Sequence, residues 1–475
     1  MATNPFDTPP LTRANTGVVD PASLGSERPK RMKSTAIPIM EPYKAVDKPW
    51  LKRSNPRAKV SYFMTWILLF VGAGLGGLQS YLTWKNVRLD RQPLCLVFED
   101  NFNSGDDAAV FGTATSRGRW LREVQMDGYG NGEFQMTTGS SNNSFLQNGN
   151  LYLVPSLTPG FPFPEGTTYN STDCTFNLTA PNGGFTKPPA PGSTEPGFDW
   201  DGYYAACSRT TNSTAGTIIN PVQSARLSTI LSAKGDESGL SRGSLRYGRV
   251  EVRAKMPVGD WLWPAIWMLP VNNTYGPWPA SGEIDIVESR GNGIQYTNRG
   301  ANYVQGSLNW GPTPGLNGVG KSYSWWTEKR QAFSSGFHTY TLEWTDKWLR
   351  IFVDTRLHTL LDFPFKQPFW DLGDFPSTIV GQDGRLQSLS DPWTNGTSAT
   401  PFDQDFYLIM NIAVGGTNGW FPDGQGDKPW LNAAGNPMVD FIQGSKQWLP
   451  TWPENLEDRA MVVDYVRMWK HCGDP

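Results

Sequence analysis

Residues 281–289 read Ser281-Gly282-Glu283-Ile284-Asp285-Ile286-Val287-Glu288-Ser289. Three carboxylates, Glu283, Asp285 and Glu288, lie within six residues, set among Ile284, Ile286 and Val287. β-Branched residues of this kind favour a strand. Alternation puts Glu283 and Asp285 on one face and Ile284 and Ile286 on the other. Glu288, five residues after Glu283, then points to the wrong face. A β-bulge at Val287 turns it back, and bulges often sit beside active sites, where they re-aim a side chain. The segment therefore predicts three acids in a row on one strand face. Two carboxyls about 5 Å apart serve a retaining glycosidase as nucleophile and acid/base. The plainer alternative is an edge strand whose acids face water.

The surroundings are aromatic. Upstream lies Gly259-Asp260-Trp261-Leu262-Trp263-Pro264-Ala265-Ile266-Trp267-Met268-Leu269-Pro270, followed by Tyr275 and Trp278. Downstream lies Asn309-Trp310-Gly311-Pro312. Tryptophan is buried on average, so most of the 21 in the chain belong to a core. Clustering around the acids nevertheless favours a lined cleft for some of them. Flat indole faces stack on sugar rings, because both pair apolar surface with polar rims. Trp263, Trp267, Trp278, Trp310 and Trp420 are the candidate sugar platforms, with Asn309 beside them.

The string GDWLWPAIWMLP…YGPWPASGEIDIVESRGN, residues 259–292, resembles glycoside hydrolase family 16. It is similar to the laminarinase-like branch that also holds the β-1,3-glucan recognition proteins. Arg226–Thr229, Tyr247–Lys255, Phe337–Trp344, Asn411–Thr417 and Val463–Trp469 extend the likeness over about residues 95–473. The resemblance implies an all-β fold, a jelly-roll sandwich with a concave glucan-binding cleft. It implies Glu283 as nucleophile, Glu288 as acid/base and Asp285 as their hydrogen-bonded neighbour. Some recognition-protein relatives have lost the glutamates, whereas all three acids stand here. One departure is Asn309, where relatives often carry His before Trp-Gly-Pro. The family needs no cofactor; it sometimes carries a structural calcium, for which Asp464 is a candidate ligand.

Composition agrees with a large all-β domain. The 50 Gly and 38 Pro imply many turns. Net charge is −3, which leaves no basic footprint for nucleic acid. The three histidines, His338, His358 and His471, are far apart in sequence, so a histidine-based metal site is unsupported. Strands are expected over Ser244–Lys255, Thr339–Val353, Phe406–Val414 and Met461–Met468.

The N-terminal part differs. Residues 1–59 are polar and basic and read as a disordered cytoplasmic tail. Val60 to Leu82 carry no charge, and as a helix reach roughly 35 Å, enough to cross a bilayer. Ten Lys and Arg between Arg28 and Lys59 predict an N-terminus on the cytoplasmic side. The chain then reads as a tail 1–59, a signal anchor 60–82, a linker 83–94 and a catalytic domain 95–473, that domain lying in the secretory lumen or outside the cell. A cleaved leader is the alternative, but 59 residues ahead of the apolar stretch is long for one. Asn-x-Ser/Thr sequons at Asn142, Asn170, Asn177, Asn212, Asn272 and Asn395 all follow the apolar stretch. So do Cys95, Cys174, Cys207 and Cys472. Four cysteines allow three pairings. Cys95–Cys472, joining the two ends of the domain, and Cys174–Cys207, pinning a loop, are favoured over free buried thiols. Residues 155–221, rich in Pro and holding three sequons, read as a loop insertion that could border the cleft.

Three motif matches are rejected on context. Gly315–Ser322 fits a phosphate-binding string, which must link a hydrophobic strand to a helix, but Pro312 and Pro314 precede it and Ser322–Trp326 is aromatic, so no nucleotide is expected. Gly72–Gly77 fits a dinucleotide fingerprint but lies inside the apolar stretch, where small residues allow helix packing. Gly239–Gly243 fits a nucleophile elbow without its strand-to-helix setting. The expectation is a membrane-anchored retaining endo-glucanase acting on β-1,3-linked glucan. A wall-building transglycosylase and a non-catalytic glucan receptor are the alternatives.

Overall fold

The computed structural model of the protein describes residues 48–49, 55–112, 118–171, 173–176, 199–230, 243–297, 299–381 and 384–473. They form two compact units, divided between Val87 and Arg88. The expected tail falls almost wholly outside the described residues, as does Asn177.

The described residues of the first unit include the long helix α1 (Pro56–Asn86). Asn55 caps it, its side chain accepting from the backbone N–H groups of Arg57 and Ala58, and Pro56 occupies the first turn, where a missing N–H costs nothing. By length and composition it is apolar enough to cross a membrane.

The second unit is all-β. The strands of its two large sheets begin with β1 (Leu94–Asp100), β2 (Phe111–Gly112), β3 (Trp120–Arg122), β4 (Ser144–Gln147), β5 (Asn150–Leu153) and β6 (Arg226–Ser228). They continue with β7 (Ser244–Leu245), β8 (Gly248–Lys255), β9 (Leu262–Pro270), β10 (Glu283–Ser289), β11 (Tyr303–Asn309) and β12 (Tyr323–Thr327). The last are β13 (His338–Trp344), β14 (Trp348–Val353), β15 (Thr359–Pro364), β16 (Phe406–Val414) and β17 (Met461–His471). An eight-stranded sheet runs β15-β14-β13-β8-β17-β5-β4, with β1 also on β17. A nine-stranded sheet runs β12-β11-β10-β9-β16-β6-β3-β2, with β7 also on β16. Alternation decides which residues meet between the sheets. Val250, Val252 and Ala254 of β8 turn inward, as do Ile284, Ile286 and Val287 of β10, into one shared core.

The expected strands are found, with two corrections. Ser244–Lys255 is two strands, β7 in the nine-stranded sheet and β8 in the eight-stranded one, with left-handed backbone at Tyr247 between them. Thr339–Val353 is a hairpin, not a single strand. The Thr345 hydroxyl accepts from the backbone N–H groups of Lys347 and Trp348 and turns the chain between β13 and β14. Both favoured disulfides are present, Cys95–Cys472 and Cys174–Cys207. The first joins β1 to the turn after β17. Asp464, the calcium candidate, is instead ion-paired with Arg253. Among the described residues no cluster of three or more acidic, His or Cys side chains could hold a metal. Gly315–Ser322 contains two short 3-10 turns rather than a strand-to-helix loop, and Lys321 donates to the carbonyls of Leu372 and Gly373.

Candidate active site

Strand β10 is bulged across Ile286 and Val287, so the irregularity expected at Val287 begins one residue earlier. On one side Ala265 pairs with Glu288, Ile266 with Val287 and Trp267 with Asp285, so that Ile286 is skipped. On the other, Asp285 pairs with Ser307 and Glu288 with Gln305, so that Ile286 and Val287 together face Gly306. Both apolar residues turn into the core, and Glu288 returns to the face of Glu283 and Asp285. Gly306 permits this crowding: a Cβ there would lie 3.2 Å from Ile351 Cδ1 and 3.4 Å from the Asp285 carbonyl oxygen.

The acids stand in a cleft of about 940 Å³ on the outer face of the nine-stranded sheet. Neutral donors hold them. Trp278 Nε1 donates to Glu283 Oε2 (3.0 Å), and Trp263 Nε1 donates to Glu288 Oε1 (3.0 Å). Asn309 Nδ2 bridges two acids, donating to Glu283 Oε1 (2.7 Å) and Asp285 Oδ2 (2.8 Å). Ser307 Oγ also donates to Asp285. Asn309 is itself fixed: Asn317 Nδ2 donates to its Oδ1 (2.7 Å), while Asn317 Oδ1 accepts from the backbone N–H groups of Trp310 and Val319. The amide of Asn309 thus has one orientation that satisfies every partner.

Burial pushes all three carboxyls above their ordinary range, that of Asp285 to about 6 despite its hydrogen bonds. Repulsion from Asp285 raises both glutamates further, and Arg290 tempers the effect at Glu288. The arrangement places a glutamate of raised proton affinity on either side of a hydrogen-bonded aspartate. Ionising any one of the three raises the proton affinity of its neighbours, which is the coupling that a general acid beside a nucleophile uses.

The aromatic candidates divide. Trp263 stacks on Trp420 (4.9 Å between centroids, 11° between planes), and Arg290 lies 4.0 Å over Trp420. Trp267 donates from Nε1 to Asn411 Oδ1 (2.7 Å). Trp263, Trp267, Trp278, Asn309 and Trp420 all line the cleft. Trp310 does not; it is wholly buried, packed on Phe369 and donating to Ser322 Oγ. It follows Asn309, which faces the acids, so period-two alternation turns it into the core.

Sequence reasoning missed the far wall. Tyr129, Asn131, Glu133 and Arg226 line the cleft. Glu133 is buried and raised by burial, and it pushes the proton affinity of Glu288 up. Asn131 donates to it, and Asn418 donates to Asn131 Oδ1, joining two distant loops. The run Gly128-Tyr129-Gly130-Asn131-Gly132-Glu133 was the available signal: a glycine-spaced turn ending in an acid. Tyr129 and its flanking glycines have left-handed backbone, and a Cβ on Gly132 would lie 2.1 Å from Thr417 Oγ1. The insertion 155–221 contributes no lining residue among those described. Its described parts form their own small elements, including a helix at Trp200–Cys207 closed by the Cys174–Cys207 bridge.

The family model "Glycosyl hydrolases family 16" matches residues 210–380, the stretch that carries the acids. A β-1,3-glucan-binding protein of Penaeus monodon is 40% identical over 381 residues, covering 79% of this chain and 90% of that protein. A glucan endo-1,3-beta-glucosidase A1 of Niallia circulans is 37% identical over 174 residues, covering 36% of this chain and 21% of that protein. The solved laminarinase of Rhodothermus marinus aligns at 25% identity with a TM-score of 0.43, covering 80% of this chain and 99% of that one. On the family match and the extent of the Penaeus likeness, the chain belongs to glycosyl hydrolases family 16 and is a homologue of the β-1,3-glucan-binding proteins.

Proposed function

We propose that this protein is a membrane-anchored, retaining endo-glucanase of β-1,3-linked glucan. One observation carries the reading: β10 is bulged so that Glu283, Asp285 and Glu288 face a single aromatic cleft. Glu283 attacks the anomeric carbon, and the bond from that carbon to the leaving oxygen breaks. Glu288 gives its proton to that oxygen. The covalent glycosyl-enzyme is then opened by water, whose proton returns to Glu288, and the Glu283 carboxylate is restored. Asp285 and Asn309 hold Glu283 in place between the two steps.

The family membership and the names of the Penaeus and Niallia relatives support β-1,3-glucan as the ligand. In this reading α1 anchors the chain, residues before Val60 stay in the cytoplasm, and the catalytic domain, residues 95–473, works in the secretory lumen or outside, joined by the linker 83–94. Two disulfides and five exposed sequon asparagines, Asn142, Asn170, Asn212, Asn272 and Asn395, support that side of the membrane. Such a placement suits a fungal-type cell-wall enzyme.

Binding without turnover is the second reading, favoured by the name of the Penaeus relative. Incubating the full-length protein with laminari-oligosaccharides and measuring product lengths separates the cases. Shorter products are expected. Longer products in excess mean transfer to a sugar acceptor, as a wall-building transglycosylase would perform. Unchanged lengths with binding retained leave the receptor and reject the enzyme.

A further inference from the structure

The floor of the cleft does not stop at the acids. On β11, Gln305 pairs with Glu288, and on β12, Trp325 pairs with Gln305. The row through Asp285 likewise runs through Ser307 to Tyr323. Residues paired directly across an antiparallel sheet point to the same face. Tyr323 and Trp325 therefore share the face of the acids, two strand spacings or roughly 10 Å away. Between them Ser324 and beyond them Trp326 turn the opposite way, and Trp326 stacks on His358 at 4.5 Å.

β12 is the edge of its sheet. Edge strands commonly carry charge, which discourages pairing with another chain. This one instead presents two aromatics, Tyr323 38% and Trp325 44% exposed. They are ordered against each other, with ring centroids 6.0 Å apart and planes at 27°. Arg299, a cleft-lining residue, lies 4.4 Å over Trp325 and donates to Tyr303 Oη at 2.8 Å. Exposed rings, a fixed guanidinium beside them and continuity with the floor of the cleft make one surface.

We infer that Tyr323 and Trp325 form an outlying subsite of the same groove, which takes sugar rings of a neutral glucan chain beyond the ring at the acids. The aromatic surface suits the C–H faces of pyranose rings, and Arg299 suits their hydroxyls. The inference rests on the glucan reading above and adds to it a preference for long chains. A short oligosaccharide filling the reaction centre does not reach β12; a longer one does.

The test uses the full-length protein carrying Glu283→Gln, so that sugars stay intact, and measures dissociation constants for laminaritriose and laminarihexaose by calorimetry. Joining Tyr323→Ala and Trp325→Ala to that background is expected to weaken hexaose binding about tenfold and triose binding far less. Trp325→Phe, which keeps a ring, is expected to restore most of the hexaose affinity lost on Trp325→Ala. Unchanged hexaose binding, or equal weakening of both sugars, overturns the subsite. Absence of hexaose binding before β12 is altered overturns the glucan reading itself, and the subsite with it.

Discussion

The two sheets each carry acids on their outward faces and treat them in opposite ways. On the eight-stranded sheet, cation and anion alternate from strand to strand. Arg249 lies across from Glu343, Glu343 across from Arg350, and Arg350 across from Asp362. A second row runs Glu99, Arg467, Glu251. Arg356 also grips Glu343, with Nε 3.0 Å from Oε2. On the nine-stranded sheet, Glu283, Asp285 and Glu288 crowd one strand, and their hydrogen-bond partners are the neutral Trp278, Asn309, Ser307 and Trp263. One face is arranged for stability. The other crowds carboxyls that raise one another's proton affinity in a buried cleft, as the proposed acid/base chemistry would need.

The contrast is broken most sharply at the acids themselves. Glu283→Gln or Glu288→Gln is expected to lower turnover on laminarin about a thousandfold or more while the fold persists. Deleting Val287 should do the same, since one residue fewer sends Glu288 into the core; Val287→Ala should spare the register and cost only packing, about 1–3 kcal/mol. Initial rates with circular dichroism as a folding check decide both. Near-normal turnover in any of the first three variants removes the assignment.

On the opposite sheet the same kind of change should act on stability instead. Glu343→Gln leaves Arg350 and Arg356 without their shared anion, and a loss of about 2–4 kcal/mol in urea unfolding is expected. An unchanged midpoint would mean that the alternating charges contribute nothing.

A smaller effect is expected at the neutral clamp. Asn309→Ala frees two acids but removes no reacting group, so turnover should fall about 10–100-fold. Asn317→Ala should reproduce part of that loss without touching either acid, and its pH profile should shift with that of Asn309→Ala. Independent behaviour of the two would mean that Asn317 does not act on the acids through Asn309.

The smallest effect has the opposite sign. Burial and repulsion hold the Glu283 and Glu288 carboxyls above their ordinary range, so the folded protein binds protons that the unfolded chain has released. Stability is therefore lost as pH rises from the ordinary carboxylate range through the raised folded values. Glu283→Gln removes that penalty. Its Tm should exceed that of the parent by about 2 °C at pH 8, and the gain should shrink at pH 4. Loss of Tm at pH 8 would refute the electrostatic account of the cleft.

The sequence made β10 legible because its pattern breaks its own period: Glu288 is out of phase, and a bulge repairs it. The disulfide pairings were legible because one pair brackets the domain. Trp310 was misjudged because adjacency to Asn309 suggested a shared role, when adjacency in a strand means opposite faces. Asn317, Glu133 and Arg226 were illegible for another reason. Glu133 and Arg226 come from parts of the chain far from β10 and are brought to the cleft across the sheet order β10-β9-β16-β6, while Asn317 comes from the loop after β11 and is brought there by the pairing of β11 with β10. Tyr323 and Trp325 looked like two more members of an aromatic-rich chain until the register of β11 and β12 set them on the face of the acids.

The bridge between Cys95 and Cys472 closes nearly the whole second unit into a covalent ring. A protease that cuts once within that ring opens it but releases nothing. The two fragments remain joined through the sulfurs, and the two walls of the cleft stay attached to each other. For a domain proposed to work outside the cytoplasm, that is tolerance to nicking: a cut molecule runs as one species until reductant is added, and only then as two.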